Sequence, residues 1–176
     1  PFQSGFKEDR LMSQLHKFLF DGLPVRGMLV QLTDVWQEVL KRRADNLETG
    51  AYPGPVRHLL GEMTAAAVLM QSNIKFNGAL VMQIFGDGPL KLAVVEVNPN
   101  LSLRATAKVV GNLGEASTLP EMVNVNNEGR CAITLDPLNK MPGQQAYQGV
   151  VPLFDDQRNK LDKFSDVLQH YMLQSE

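Results

Sequence analysis

Cysteine is nearly missing: the 176 residues hold one, Cys131. A single thiol forms no disulfide within the chain and no cysteine zinc cluster, and this usage fits a reducing compartment. An excess of either charge is missing too. Lys and Arg number 17 against 19 Asp and Glu, a net of −2, which excludes the basic footprint of a nucleic-acid binder. The one basic cluster, Lys41-Arg42-Arg43, closes a helix-like segment, where cations suit the helix dipole. No apolar run approaches the roughly 18 residues of a membrane span. The opening PFQSGFKEDR lacks the apolar core of a signal peptide. What these absences leave is a globular composition, 44% hydrophobic and 20% charged. It reads as a soluble cytoplasmic protein with no membrane or nucleic-acid partner.

What is present is periodic. Lys7 to Phe20 is expected to be a helix, because Leu11, Leu15, Phe18 and Leu19 form one stripe, broken by Asp21-Gly22. LPVRGMLVQL, ending at Leu32, reads as a strand with a glycine inside. Thr33 or Asp34 is positioned to cap a helix running to about Arg43, with Gln37 three residues after Asp34. ADNLETGAYPGP is a loop by its turn formers.

Pro55 suits a helix start, and a helix to Ser72 follows, with Val56, Leu59, Leu60, Met63, Ala67 and Met70 on one face. Its second half, MTAAAVLM, is apolar nearly all round, the mark of a helix buried on several sides. From Ile74 the period becomes two. KFNGALVMQIF, PLKLAVVEV, LSLRATAKVV and GRCAITL are strand candidates, and YQGVVPLF adds a fifth. In the third, Leu101, Leu103, Ala105, Ala107 and Val109 alternate with Ser102, Arg104, Thr106 and Lys108, as on a sheet with one wet face. Lys160 to Glu176 returns to helix, with Leu161, Phe164, Leu168 and Tyr171 as its stripe. It ends without glycine, proline or a polar run-out, so the expectation is a chain cut short of its natural terminus. The order implies an α+β fold, an antiparallel sheet of about five or more strands packed with helices.

Gly86-Asp87-Gly88-Pro89 raises phosphate binding. A phosphate loop leads from a strand into a helix and aims several backbone N–H groups at one point. Here Pro89 removes a donor, the following run alternates as a strand and no Lys-Ser/Thr pair follows. Asp-Gly between apolar runs is a hairpin signal, so the turn reverses the chain.

Catalytic groups are sparse. Cys131 alternates with Ile133 and Leu135, on the side away from Arg130, and so reads as a core thiol. His58 and Glu62, one helical turn apart, suit an exposed ion pair. No acid, base and nucleophile converge, and the expectation is a protein that is not an enzyme. The alternatives are a cysteine enzyme using Cys131 with His58 or His170 as base, and a scaffold or regulatory module with one fixed partner. Eight methionines sharing faces with Leu and Val read either as core filler or as an adaptable binding surface.

Several stretches taken in order carry a family likeness. YPGPVRHLLGEMTAAAVLMQSNIKFNGALVMQIFGDGPLKLAVVEVN resembles the central block of the redox-regulated heat-shock holdase family, the 33 kDa chaperonins. LSLRATAKV, YQGVVPL and LDKFSDVLQHYMLQSE resemble its later elements, and LHKFLFDGLPVRGMLVQL its opening.

The resemblance implies an ATP-independent chaperone that binds unfolded or misfolding proteins under oxidative and heat stress, commonly as a dimer. It implies zinc on a C-terminal four-cysteine module, expelled when oxidation makes disulfides. That module is absent from these residues, so no zinc ligand or redox residue carries over. Residues 1–176 then read as a single client-binding core domain, incomplete at its C-terminal end and without the switch. Segment 41–51 is longer than the family's usual link, with no function assigned to it. Phe164, Leu168 and Tyr171 are candidate client or dimer contacts, since an uncovered stripe also invites a homodimer by exchange of elements.

Overall fold

The structure, a computed structural model, describes residues 12–139 and 142–174. The chain divides into two compact units, one ending at Tyr52 and one starting at Pro53.

The first unit opens with strands β1 (Gln14–Leu19) and β2 (Arg26–Gln31), paired antiparallel from Gln14↔Gln31 to Leu19↔Arg26. The helix expected over Lys7 to Phe20 is therefore corrected to a strand from Gln14, while Lys7 to Leu11 lie outside the described residues. The reason is geometric. Leu15 and Leu19 share a face at a period of 3.6 and at a period of 2 alike, so the apolar spacing did not decide. Asp21-Gly22 decided: it is a hairpin turn, closed by the Phe20 N–H donating to the Val25 carbonyl at 3.0 Å, with Gly22 at φ +73°.

Helix α1 (Asp34–Ala44) follows. Thr33 holds the N-cap position, yet its side chain makes no capping bond. Ser13 serves instead. Its hydroxyl accepts from the N–H of Thr33 at 3.0 Å and of Val35 at 3.3 Å, and its own N–H donates to Asp34 Oδ1 at 2.6 Å. That long-range cap is invisible to a search for local pairs. After α1, Arg43 closes the loop that sequence left without a role. Its Nε donates to the Gly50 carbonyl at 2.9 Å, and its guanidinium lies 4.4 Å from the Tyr52 ring centre.

The second unit holds helix α2 (Gly54–Asn73), strands β3 (Gly78–Phe85), β4 (Leu90–Val97) and β5 (Leu103–Val109), helix α3 (Leu119–Val123), strands β6 (Arg130–Pro137) and β7 (Tyr147–Pro152), and helix α4 (Phe164–Gln174). The five strands form one antiparallel sheet in the order β5-β4-β3-β6-β7. Alternation sends Leu80, Met82 and Ile84 of β3, Val95 and Val97 of β4, and Ile133 of β6 to one face, where all are buried. Helix α2 covers β3, β4 and β5 on that side with Val56, Leu59, Leu60, Met63, Ala67 and Val68, and α4 packs against β7. Met70 is only half-buried.

The expected strands and the α+β class match what is found. Helix α3 was not expected, though a capping box announces it: Thr118 bonds Glu121 at 2.8 Å through its N–H and 2.9 Å through its hydroxyl, with Pro120 in the first turn. Helix α4 begins at Phe164 rather than Lys160.

Candidate functional site

The β3–β4 turn works as a structural clasp. Asp87 lies in the turn, and its carboxylate accepts the backbone N–H groups of Val125 at 2.6 Å, Asn126 at 2.7 Å and Glu128 at 3.0 Å. Partial burial raises its pKa, but the donors of Glu128, Asn126 and Val125 outweigh that and hold the carboxyl below its ordinary value. The loop it grips is fixed from two more sides. Buried Asn124 donates to the Leu153 carbonyl at 2.8 Å and accepts from the Gly129 N–H at 3.0 Å, while Lys160 Nζ donates to the Val125 carbonyl at 2.7 Å. The oxygens of Asp87 are committed to backbone, with no geometry for holding a phosphate.

Cys131 sits on the inner face of β6, fully buried, and burial pushes its thiol up to about 12. A nucleophilic cysteine needs the opposite shift. His58 is an exposed neighbour of Glu62 at 3.6 Å, and His170 bonds Gln174 at 3.0 Å. Among the described residues, no three of His, Cys, Asp and Glu gather as a metal site.

Of the α4 candidates, Phe164 and Tyr171 are interior, 3% and 7% exposed, and Leu168 is half-buried. Tyr171 lies against Gly149 of β7, where a Cβ would stand 2.7 Å from its ring. Val167, absent from the expected stripe, is the fully buried member between them. The exposed large apolar side chains of α4 are Met172 and Leu173 instead.

Exposed apolar side chains concentrate elsewhere. In the β1–β2 hairpin Leu19 is 80% exposed, Leu23 61% and Leu29 60%, with Phe18, Phe20 and Val25 each near half. Alternation puts Leu15, Leu19, Met28 and Val30 with Lys17 and Arg26 on one face of the ribbon, and Phe18 and Leu29 with Gln14, His16 and Gln31 on the other, so both faces mix apolar with polar side chains. Phe18 lies across Gly27, its pairing partner, and meets Phe20 edge-on at 5.7 Å. A surface ribbon that exposes large apolar side chains on both faces marks an interaction site more than a packing remnant.

A second surface is the sheet face that α2 and α4 leave open within the second unit. The register builds it in rows. One is Lys108, Leu92, Phe85 and Arg130; the next is Thr106, Val94, Gln83, Ala132 and Val150; the third is Arg104, Glu96, Val81, Thr134 and Gln148. Arg104 and Glu96 pair at 2.6 Å. A hollow of about 490 Å³ lies over Phe85, Ala132 and Val150, walled by Arg130, Gln148 and Glu128.

Comparison with known proteins fits this architecture. A family model described as Hsp33 protein matches residues 13–176. A 33 kDa chaperonin of Chromobacterium violaceum is 44% identical over 163 residues, covering 93% of this chain and 49% of that protein. One of Methylobacillus flagellatus is 39% identical over 168 residues, covering 95% and 50%. The crystal structure of the 33 kDa chaperonin (HSP33) from Thermotoga maritima superposes with a TM-score of 0.60 at 18% identity, over 90% of this chain and 49% of that one, and speaks for the fold alone. The chain spans about half the length of the curated relatives it matches.

Proposed function

The chain belongs to the Hsp33 protein family, and from that premise we propose that it is the client-binding part of a chaperone, holding unfolding polypeptides without ATP in the cytoplasm. One observation carries the reading: large apolar side chains stand exposed on both faces of the β1–β2 hairpin, with Leu19, Leu23 and Leu29 each 60% exposed or more. Burying such a side chain against a client is worth about 1.5–3 kcal/mol. The contact is non-directional, which suits clients that share no sequence. Phe164, Leu168 and Tyr171 join as a latent contact, reached when α4 lifts from β7.

The family's zinc does not fit this donor set. Four thiolates are needed, and the one cysteine is a desolvated thiol inside the sheet. Client binding by these residues is therefore expected to be the same with and without oxidant.

The test is light scattering from a thermally unfolding enzyme, with and without the chain, under reductant and under peroxide. Equal protection in both conditions is expected. Leu19→Ser with Leu29→Ser is expected to weaken protection at least several-fold while leaving the melting temperature within a few degrees, since both positions are exposed. No protection by the unaltered chain in either condition overturns the reading.

A further inference from the structure

The open sheet face carries charge in a pattern that the fold does not need. Lys108 on β5 and Arg130 on β6 bracket the apolar pair Leu92 and Phe85, about three strand spacings or roughly 14 Å apart. Neither cation has an ion-pair partner among the described residues; Arg130 makes one long bond, from Nε to the Glu128 carbonyl at 3.4 Å. The nearby carboxylates are largely spoken for. Glu96 pairs with Arg104, and the oxygens of Asp87, which keeps its charge, are taken up by three backbone donors. Glu128 lines the hollow together with Asp87 and Arg130, and Lys91 donates to the Asp87 carbonyl at 3.2 Å. Between the cations Leu92 is half-buried and Phe85 45% exposed; in the next row Val94 is half-buried and Val150, on β7 beyond Arg130's strand, is 49% exposed.

From this complementarity we infer that the outer face of the five-stranded sheet binds polypeptide segments in which carboxylates flank apolar side chains. The inference deepens, and rests on, the client-binding reading: the hairpin takes apolar chain without regard to charge, and the sheet face sorts clients by charge. The apolar strip takes the side chains. Lys108 and Arg130 each meet a carboxylate at the edges, and an opposed cation costs affinity on both sides.

Two short fluorescein-labelled peptides of equal length test this, one alternating leucine and glutamate, the other leucine and lysine, each titrated with the full chain at low salt. The acidic peptide is expected to bind about tenfold or more tightly. Lys108→Glu with Arg130→Glu should reverse the order, and Phe85→Ser should weaken both peptides. Backbone NMR shifts on adding the acidic peptide should cluster on β3, β4 and β6.

Equal binding of the two peptides, or an order unchanged by the double reversal, overturns the inference. So does binding to anionic lipid vesicles with none to the acidic peptide, and so does concentration-dependent broadening at Phe85 without peptide, which would make a second copy the occupant. Circular dichroism checks that the variants fold. The scattering assay run on the same preparations separates the two readings: protection without charge preference sinks this inference alone, and absence of protection by the unaltered chain sinks the function it rests on.

Discussion

Asp87 shows what a single side chain does in this fold. Its carboxylate gathers three N–H groups that a loop cannot satisfy internally. Asp87→Ala is expected to cost about 1–3 kcal/mol, the range for groups left without their partner, read as a lower urea midpoint with an unchanged slope. The pH dependence has a definite sign. The folded carboxyl lies below its ordinary value, so the unfolded chain binds its proton more readily. The stabilisation is complete above the unfolded value of about 3.9 and drains away as pH falls through the lower folded one. Asp87→Asn should therefore be clearly less stable than the unaltered chain at pH 7 and nearly equal to it at pH 2. A constant difference at both would place the stabilisation outside the charge.

Helices and strands were legible in the sequence where burial imposes a period, and obscure where it does not. The β3–β7 candidates alternate because one face packs on α2 and α4 and the other does not, and α2 shows a broad apolar stripe for the same reason. The β1 segment misled because both faces of its ribbon mix apolar with polar residues, Lys17 and Arg26 on one and Gln14, His16 and Gln31 on the other. With no purely polar face to alternate against, helix and strand periods fit equally. The open sheet face was legible only in part: the alternation of β5 foretold its wet side, but the alignment of Lys108 with Arg130 across four strands is a matter of register, which no local pattern carries.

Helix α4 gives the prediction at this scale. Tyr171 fits only because Gly149 has no side chain. Gly149→Ala should push the ring away and destabilise the unit by about 1–3 kcal/mol, as overpacking does, seen as a drop in melting temperature. If Phe164, Leu168 and Tyr171 are latent contacts, the same variant should capture more client below its melting point, not less. Lower capture at equal folded fraction would assign those residues to packing alone.

Across the whole molecule, two surfaces of different chemistry respond to salt in opposite senses. The hairpin offers Leu, Phe and Val side chains beside the exposed charges of Lys17, Asp21 and Arg26, and excluded salts such as sulfate strengthen burial of the apolar part. The sheet face relies on two cations near water, and charges of that kind are screened once the Debye length falls from about 10 Å at 0.1 M to about 3 Å at 1 M. Raising sodium sulfate should therefore weaken binding of the acidic peptide while strengthening capture of a neutral, aggregation-prone client. Self-association should follow the apolar branch. Sedimentation velocity should show larger species as protein and sulfate concentrations rise, suppressed by Leu19→Ser with Leu29→Ser and insensitive to Lys108→Glu with Arg130→Glu. Should all three responses move together with salt, a single surface would account for them, and the charge-reversal pair against the serine pair would identify which one. The division expected here follows from composition: the ribbon exposes six large apolar side chains, Phe18, Leu19, Phe20, Leu23, Val25 and Leu29, whereas on the sheet Leu92 and Phe85 lie between two cations.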